Sequence, residues 1–128
     1  MYPADCSYTK DHEWIKPLAD GSALVGITSY AAEALGDVVF VQLPENGAGF
    51  AHGEEFGTVE SVKTVSELFM PADAEVLEVN GELEAHPEFV NEDPFGKGWM
   101  VKIRLKGGLP ADLMDVVAYS ALVSAETH

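Results

Sequence analysis

Reactive chemistry in this sequence narrows to one amine. Lys63 is the only lysine or arginine in the eighty residues from Pro17 to Gly96, a span that holds sixteen Asp and Glu. Val62 and Val65 flank it at short range. Glu55-Phe-Gly-Thr-Val-Glu60 before it and Val65 to Met70 after it read as strands, the second ended by Pro71. Two β-type runs joined by a short Ser/Lys/Thr segment make a hairpin with the lysine at or near its tip. On pattern alone, such an amine is an ordinary solvated turn lysine. Other chemistries lack their parts. His12, His52, His86 and His128 lie at least 34 residues apart, so no pair has the local spacing of a zinc helix or finger. Gly47, Gly49 and Gly53 miss the phosphate-loop patterns. With 22 Asp and Glu in the chain, no particular pair of carboxylates stands out for acid–base work. The chain reads as a protein that is not an independent catalyst.

The elements that must mount the lysine follow from turn and cap residues. Met1 to Ser7 reads as a loose end, Thr9 to Lys16 as a strand, Pro17 to Gly21 as a turn and Ser22 to Ile27 as a returning strand. Thr28 or Ser29 can cap a short helix over Tyr30 to Leu35, with Gly36 at its C-terminal position. Asp37 to Leu43 is a buried-type strand closed by the turn Pro44-Glu-Asn-Gly47. After the hairpin, Pro71-Ala-Asp-Ala74 is a turn before a strand over Glu75 to Val79. Gly81 to Asn91 reads as irregular and Glu92 to Gly98 as a loop. Trp99 to Leu105 alternates, with Trp99, Val101, Ile103 and Leu105 on one side. Asp115 can cap a terminal helix with Val116, Tyr119, Leu122 and Val123 at helical spacing, giving a helix over 115–125. Many short strands with a short internal helix and a terminal helix make a mostly β domain.

The totals agree with one domain over 1–128. Apolar content of 47% is ordinary for a folded chain, and no apolar run approaches the length of a membrane span. Nothing ahead of Tyr8 reads as a secretory or organellar leader. The single cysteine, Cys6, excludes an internal disulfide and fits a reducing cytoplasm, as a spectator thiol on the loose terminus. A net charge of −15 argues against nucleic acid, because phosphate binding needs clustered Lys and Arg. The same charge favours approach to basic partner surfaces.

One family resemblance reaches across most of the chain. Glu60-Ser-Val-Lys-Thr-Val-Ser-Glu-Leu-Phe-Met-Pro71, followed by Glu75-Val-Leu-Glu-Val-Asn80, resembles the lipoylation segment of the glycine cleavage system H proteins. Tyr8-Thr-Lys-Asp-His-Glu-Trp14, Gly26-Ile-Thr-Ser-Tyr-Ala31, Ala34 to Pro44, Phe89-Val-Asn-Glu-Asp-Pro-Phe-Gly96 and Gly98-Trp-Met-Val-Lys102 are similar to family landmarks, in family order. The resemblance implies a barrel-sandwich hybrid of the lipoyl-domain type, and a non-catalytic carrier with lipoic acid in amide linkage to Lys63. Glu60, Ser61 and Val62 match the part of the motif that a lipoyl-attaching enzyme would read. A lysine so extended contains about a dozen bonds and reaches on the order of 14 Å. Its partners would be a pyridoxal phosphate glycine decarboxylase, an aminomethyltransferase and dihydrolipoamide dehydrogenase, with no nucleic acid and no membrane. The aminomethyl group would pass from the first to the second, and the third would reoxidise the dithiol by thiol–disulfide exchange.

Family members line a recess for the arm with the glutamate of the His-Glu-Trp motif and an acidic residue four after the lysine, here Glu13 and Glu67. Two positions depart from the pattern. Ala34 stands where some members place a histidine, and Ala74 stands where the usual turn has glycine, at a cost of roughly 1 kcal/mol if that site needs a positive φ. These departures leave open a related lipoate carrier serving another pathway, such as bacterial sulfur oxidation. An unmodified acidic interaction module is a third reading. A biotin carrier is disfavoured, since that family flanks its lysine with methionines.

Overall fold

Alternation of apolar and polar side chains builds the strands. In the last of them Val101 and Ile103 are fully buried while Arg104 is exposed, the period-two pattern of a sheet with one wet face. The structure, a computed structural model, describes residues 2–126. In chain order the elements are β1 (Ser7–Tyr8), β2 (Glu13–Pro17), β3 (Ser22–Ile27), α1 (Ser29–Leu35), β4 (Val38–Gln42), β5 (Gly49–Phe50), β6 (Glu55–Ser61), β7 (Val65–Phe69), β8 (Ala74–Val79), α2 (Glu82–Ala85), α3 (Phe89–Glu92), β9 (Val101–Leu105) and α4 (Val116–Glu126). Among the described residues, no helix is long and apolar enough to cross a membrane.

Two antiparallel sheets share one core. The larger runs β1-β2-β3-β9-β8-β5 and the smaller runs β4-β6-β7. Ile15, Val25, Val76 and Ile103 from the first meet Val41, Phe56, Val59 and Leu68 from the second. A second cluster lies around Trp14, Tyr8 and Tyr119, against which α4 packs through Leu122 and Val123. Gly26 makes room for it, because a Cβ there would stand 2.7 Å from the Trp14 ring. The Trp14 indole donates to Ile27 O at 3.0 Å and to Pro94 O at 3.1 Å, tying the 89–96 segment to β2 and β3.

Four expectations change. Of the segment 1–7, expected to be loose, Met1 lies outside the described residues and 2–7 pack: Cys6 is buried, Tyr2 meets Tyr119 edge-on at 5.0 Å, and Ser7–Tyr8 pairs with β2. The Cys6 thiol is therefore a core group and not a spectator on a free end, and burial pushes its pKa up to about 11. The strand expected over 9–16 is broken by a turn. Thr9 Oγ1 accepts from the amides of Asp11 and Glu13, both at 3.2 Å, and His12 takes φ 66. The stretch 81–91, expected to be irregular, contains two single-turn helices, held because Leu83 and Val90 insert into the main core. Ala74 is fully buried with no positive φ, so the expected strain at that alanine is absent.

Candidate functional site

The reversal between β6 and β7 sets the lysine's position. Glu60 pairs with Val65, which leaves Ser61-Val-Lys-Thr64 to turn the chain. Two-residue hairpin turns normally need positive φ at one or both central residues. His12 is the only non-glycine residue with positive φ among the described residues, so Val62 and Lys63 turn without it. The Ser61 side chain supplies what the backbone type does not. Its Oγ accepts from Lys63 N at 3.3 Å and Thr64 N at 3.2 Å, while Ser61 N donates to Thr64 O at 2.8 Å. Ser61 is 5% exposed, so this brace is internal. On the other side Val62 N donates to Asp37 O at 3.0 Å, fastening the tip to the segment that follows α1.

Lys63 itself is exposed and takes part in no ion pair among the described residues. Its stem crosses Gly36: a Cβ on that glycine would lie 3.5 Å from Lys63 Cε. Gly36 ends α1 at φ 82, ψ −162, a conformation that suits glycine almost alone. Around the amine lie exposed apolar groups, Val62 at 69%, Val65 at 57% and Phe40 at 48%. Phe40, Glu60 and Val65 form one row across the small sheet, with Glu60 exposed in the middle.

Glu13 is not the exposed carboxylate that a chain this acidic would offer by default; it is 2% exposed. Oε2 accepts from Phe69 N at 2.7 Å, and Thr9 Oγ1 donates to Oε1 at 3.3 Å. β7 is an edge strand, so the carboxylate stands in for a missing strand neighbour and joins the two sheets. Burial pushes the Glu13 pKa up to about 8, against the pull of the Phe69 amide and with a smaller push from Asp11. The group lines a cleft of about 410 Å3 with Asp11, His52, Phe69, Pro71 and Asp112.

Glu67 lies opposite Thr58, exposed, and its side chain makes no hydrogen bond or ion pair among the described residues. At about 3.3 Å per residue along β7, Glu67 stands roughly 7 Å past Val65, where the strand begins after the lysine's turn, and Phe69, whose amide Glu13 receives, roughly 13 Å past it. Glu13 and Glu67 therefore sit at different points along β7, and no hydrogen bond joins them. Ala34 is exposed on α1 and contributes no polar group to this region.

Sequence reasoning did not find Asn91. Its Nδ2 donates to Gly36 O at 2.8 Å and Ala32 O at 3.4 Å, and its Oδ1 accepts from Val38 N at 2.9 Å. The only signal was its place in the Phe89–Gly96 run, which carries no hint of a partner more than fifty residues away. The group formed by His12, Thr28 and Tyr119 was missed for the same reason. Tyr119 OH lies 2.7 Å from Thr28 Oγ1 and 2.9 Å from His12 Nδ1.

Comparison with known proteins converges on one answer. The family model described as Glycine cleavage H-protein matches residues 6–126. A glycine cleavage system H protein from Chlorobium limicola is 55% identical over 94% of this chain and 96% of its own length. One from Mycolicibacterium vanbaalenii is 51% identical over 95% and 96%. The crystal structure of a glycine cleavage system H protein from Mycobacterium marinum superposes with a TM-score of 0.88 at 44% identity, covering 96% of this chain and 99% of that one. The paired sheets are accordingly the lipoyl-domain-like barrel-sandwich fold, and the chain belongs to the glycine cleavage H-protein family.

Proposed function

We propose that this chain is the non-catalytic, cytoplasmic carrier of a glycine cleavage system, with lipoic acid in amide linkage to Lys63. The observation that carries the reading is the Lys63 amine: solvent-exposed, without an ion-pair partner among the described residues, and rooted on a turn braced from both sides. These residues fit the group. An amine with no internal partner is open to acylation, and a stiff root with a mobile tip raises the local concentration of the carried group at each partner. When bound, lipoate supplies a disulfide that accepts the aminomethyl unit and a dithiol that is reoxidised afterwards. The partners are a pyridoxal phosphate glycine decarboxylase, an aminomethyltransferase, dihydrolipoamide dehydrogenase and a lipoyl-attaching enzyme.

This chain's own residues hold the root, present it and shelter the tip. Glu60 and Val62 stand exposed beside the amine where an attaching enzyme reads them, and Ser61 fixes their geometry from within. Glu67 lies along β7 within reach of the extended arm, and Glu13, bonded to the Phe69 amide, lines the cleft farther along the same strand. A tether on the order of 14 Å brings a cationic tip within range of the exposed carboxylate of Glu67 as well as that of Glu60 beside the amine. Incubated with lipoate–protein ligase, the wild type is expected to gain the mass of one lipoyl group, and Lys63→Arg, correctly folded, to gain none. Lys63→Arg is also expected to lose all exchange of labelled bicarbonate into glycine in a system reconstituted with glycine decarboxylase. A Lys63→Arg protein that still gains the group or supports exchange would show that Lys63 is misassigned.

A further inference from the structure

None of the residues in the run Phe89-Val-Asn-Glu-Asp-Pro-Phe-Gly96 has a part in the function proposed so far. α3 begins this run, and the core side chain Val90 fixes its position. The next residue, Asn91, is thereby turned toward the end of α1, where its one amide meets three backbone groups of another segment. Those groups are Ala32 O, Gly36 O and Val38 N. Between the last two lies Asp37, whose carbonyl receives the Val62 amide of the hairpin tip at 3.0 Å. The chain of contacts therefore runs from Asn91 through residues 36–38 to the residue beside the lysine.

A second observation meets the first at Gly36. The Lys63 stem crosses this glycine, with Nζ 4.0 Å from where a Cβ would stand. The end of a helix is the negative end of its dipole and leaves carbonyls without intrahelical partners. An ammonium lying over it would be drawn to those oxygens. Ala32 O already takes the Gly36 amide at 3.2 Å and meets Asn91 Nδ2 only at 3.4 Å, so the carbonyl that Asn91 chiefly occupies is that of Gly36, at 2.8 Å.

We infer that Asn91 is a positioning residue for acylation of Lys63: its side chain locks residues 36–38 as the seat of the hairpin tip and occupies the Gly36 carbonyl, which would otherwise be open to the amine lying over that residue. The inference rests on Lys63 being the attachment site. Attachment forms a bond from Nζ to the acyl carbon of an acyl-adenylate donor on the attaching enzyme. The adenylate departs with the electron pair of the broken C–O bond. The ammonium gives up two protons, one before attack and one after it. A loose seat spreads the amine over more directions, and a competing carbonyl raises the cost of freeing it; both lower the rate of that step.

Asn80 provides a matched control. It too is an asparagine that ties distant backbone, donating to Lys97 O and Trp99 O at 2.8 Å each and accepting from Glu82 N at 3.2 Å, but it touches nothing on the route to the lysine. Asn91→Ala and Asn80→Ala should both lower global stability. Only Asn91→Ala should lower kcat/KM for lipoate–protein ligase, on the order of tenfold to a hundredfold under conditions where both variants are folded. It should also speed amide hydrogen exchange at Val62, while Asn80→Ala leaves that amide at its wild-type rate. Asn91→Asp, which keeps the acceptor for Val38 N and loses the donor, should fall with Asn91→Ala and covers the case in which alanine does not fold. Equal loss in the Asn91 and Asn80 variants, or an Asn91 variant modified as fast as wild type, would overturn the inference and leave Lys63 as the attachment site. A wild-type protein that accepts no lipoyl group would instead sink the carrier reading, and Val62 exchange would still judge the lock on the tip.

Discussion

Glu13 is pulled in two directions. An amide at 2.7 Å favours its anion, burial favours its acid, and burial prevails, with a pKa of about 8. The sign of the resulting pH dependence follows from proton counts. An unfolded glutamate titrates near 4.3, so between there and about 8 the folded chain holds one proton that the unfolded chain has lost. The stabilisation from this group is therefore complete below the unfolded value and disappears as pH rises toward 8, at roughly 1.4 kcal/mol per pH unit. Glu13→Gln keeps an acceptor for the Phe69 amide and removes the titration. Urea unfolding from pH 5 to pH 8 should show the variant gaining on wild type as pH rises. A constant difference across that range would mean that Glu13 is ionised in the folded chain.

Among the elements, the β6–β7 hairpin shows why one side chain can replace a special backbone. Ser61→Ala removes the acceptor shared by Lys63 N and Thr64 N, with an expected loss of about 1 kcal/mol in unfolding free energy. Faster amide exchange should appear at those two residues and not in the middle of β6. If exchange there is unchanged, the turn is held by its backbone bonds, Ser61 N to Thr64 O and Val62 N to Asp37 O, without the side chain. This hairpin was legible in the sequence because its signals are local: alternation on both sides, a short polar link, Pro71 as a stop. α1 was legible for the same reason, with Thr28 accepting from Ala31 N and Gly36 closing the helix. The supports were not. Glu13 meets Phe69 across 56 residues and Asn91 meets Gly36 across 55, and no periodicity reports such pairs. α2 and α3 escaped because a single turn has almost no propensity signal, and core insertion of Leu83 and Val90 decides them.

For the molecule as a whole, the two clusters divide the labour. The inter-sheet core carries the hairpin, and the aromatic cluster on the other face of β2 fixes α4 and the first residues of the chain. Tyr119 joins the second cluster to the first region, since its hydroxyl meets both His12 and Thr28, the cap of α1. Tyr119→Phe keeps the stack on Tyr8 and removes that hydroxyl. An unfolding loss of about 1–3 kcal/mol is expected, with faster exchange along α4. No change in stability would assign the hydroxyl no part in holding α4.

Lys63 is the only lysine or arginine of an eighty-residue span and takes part in no ion pair among the described residues, so neutralising it breaks no salt bridge of the fold. Formal charge would then pass from −15 to −16 by loss of one positive group, with no change in shape. Bare and acylated protein should melt at the same temperature yet separate by anion-exchange chromatography, the acylated form eluting later. Occupancy in a cell extract could then be read from two peak areas, without label or antibody.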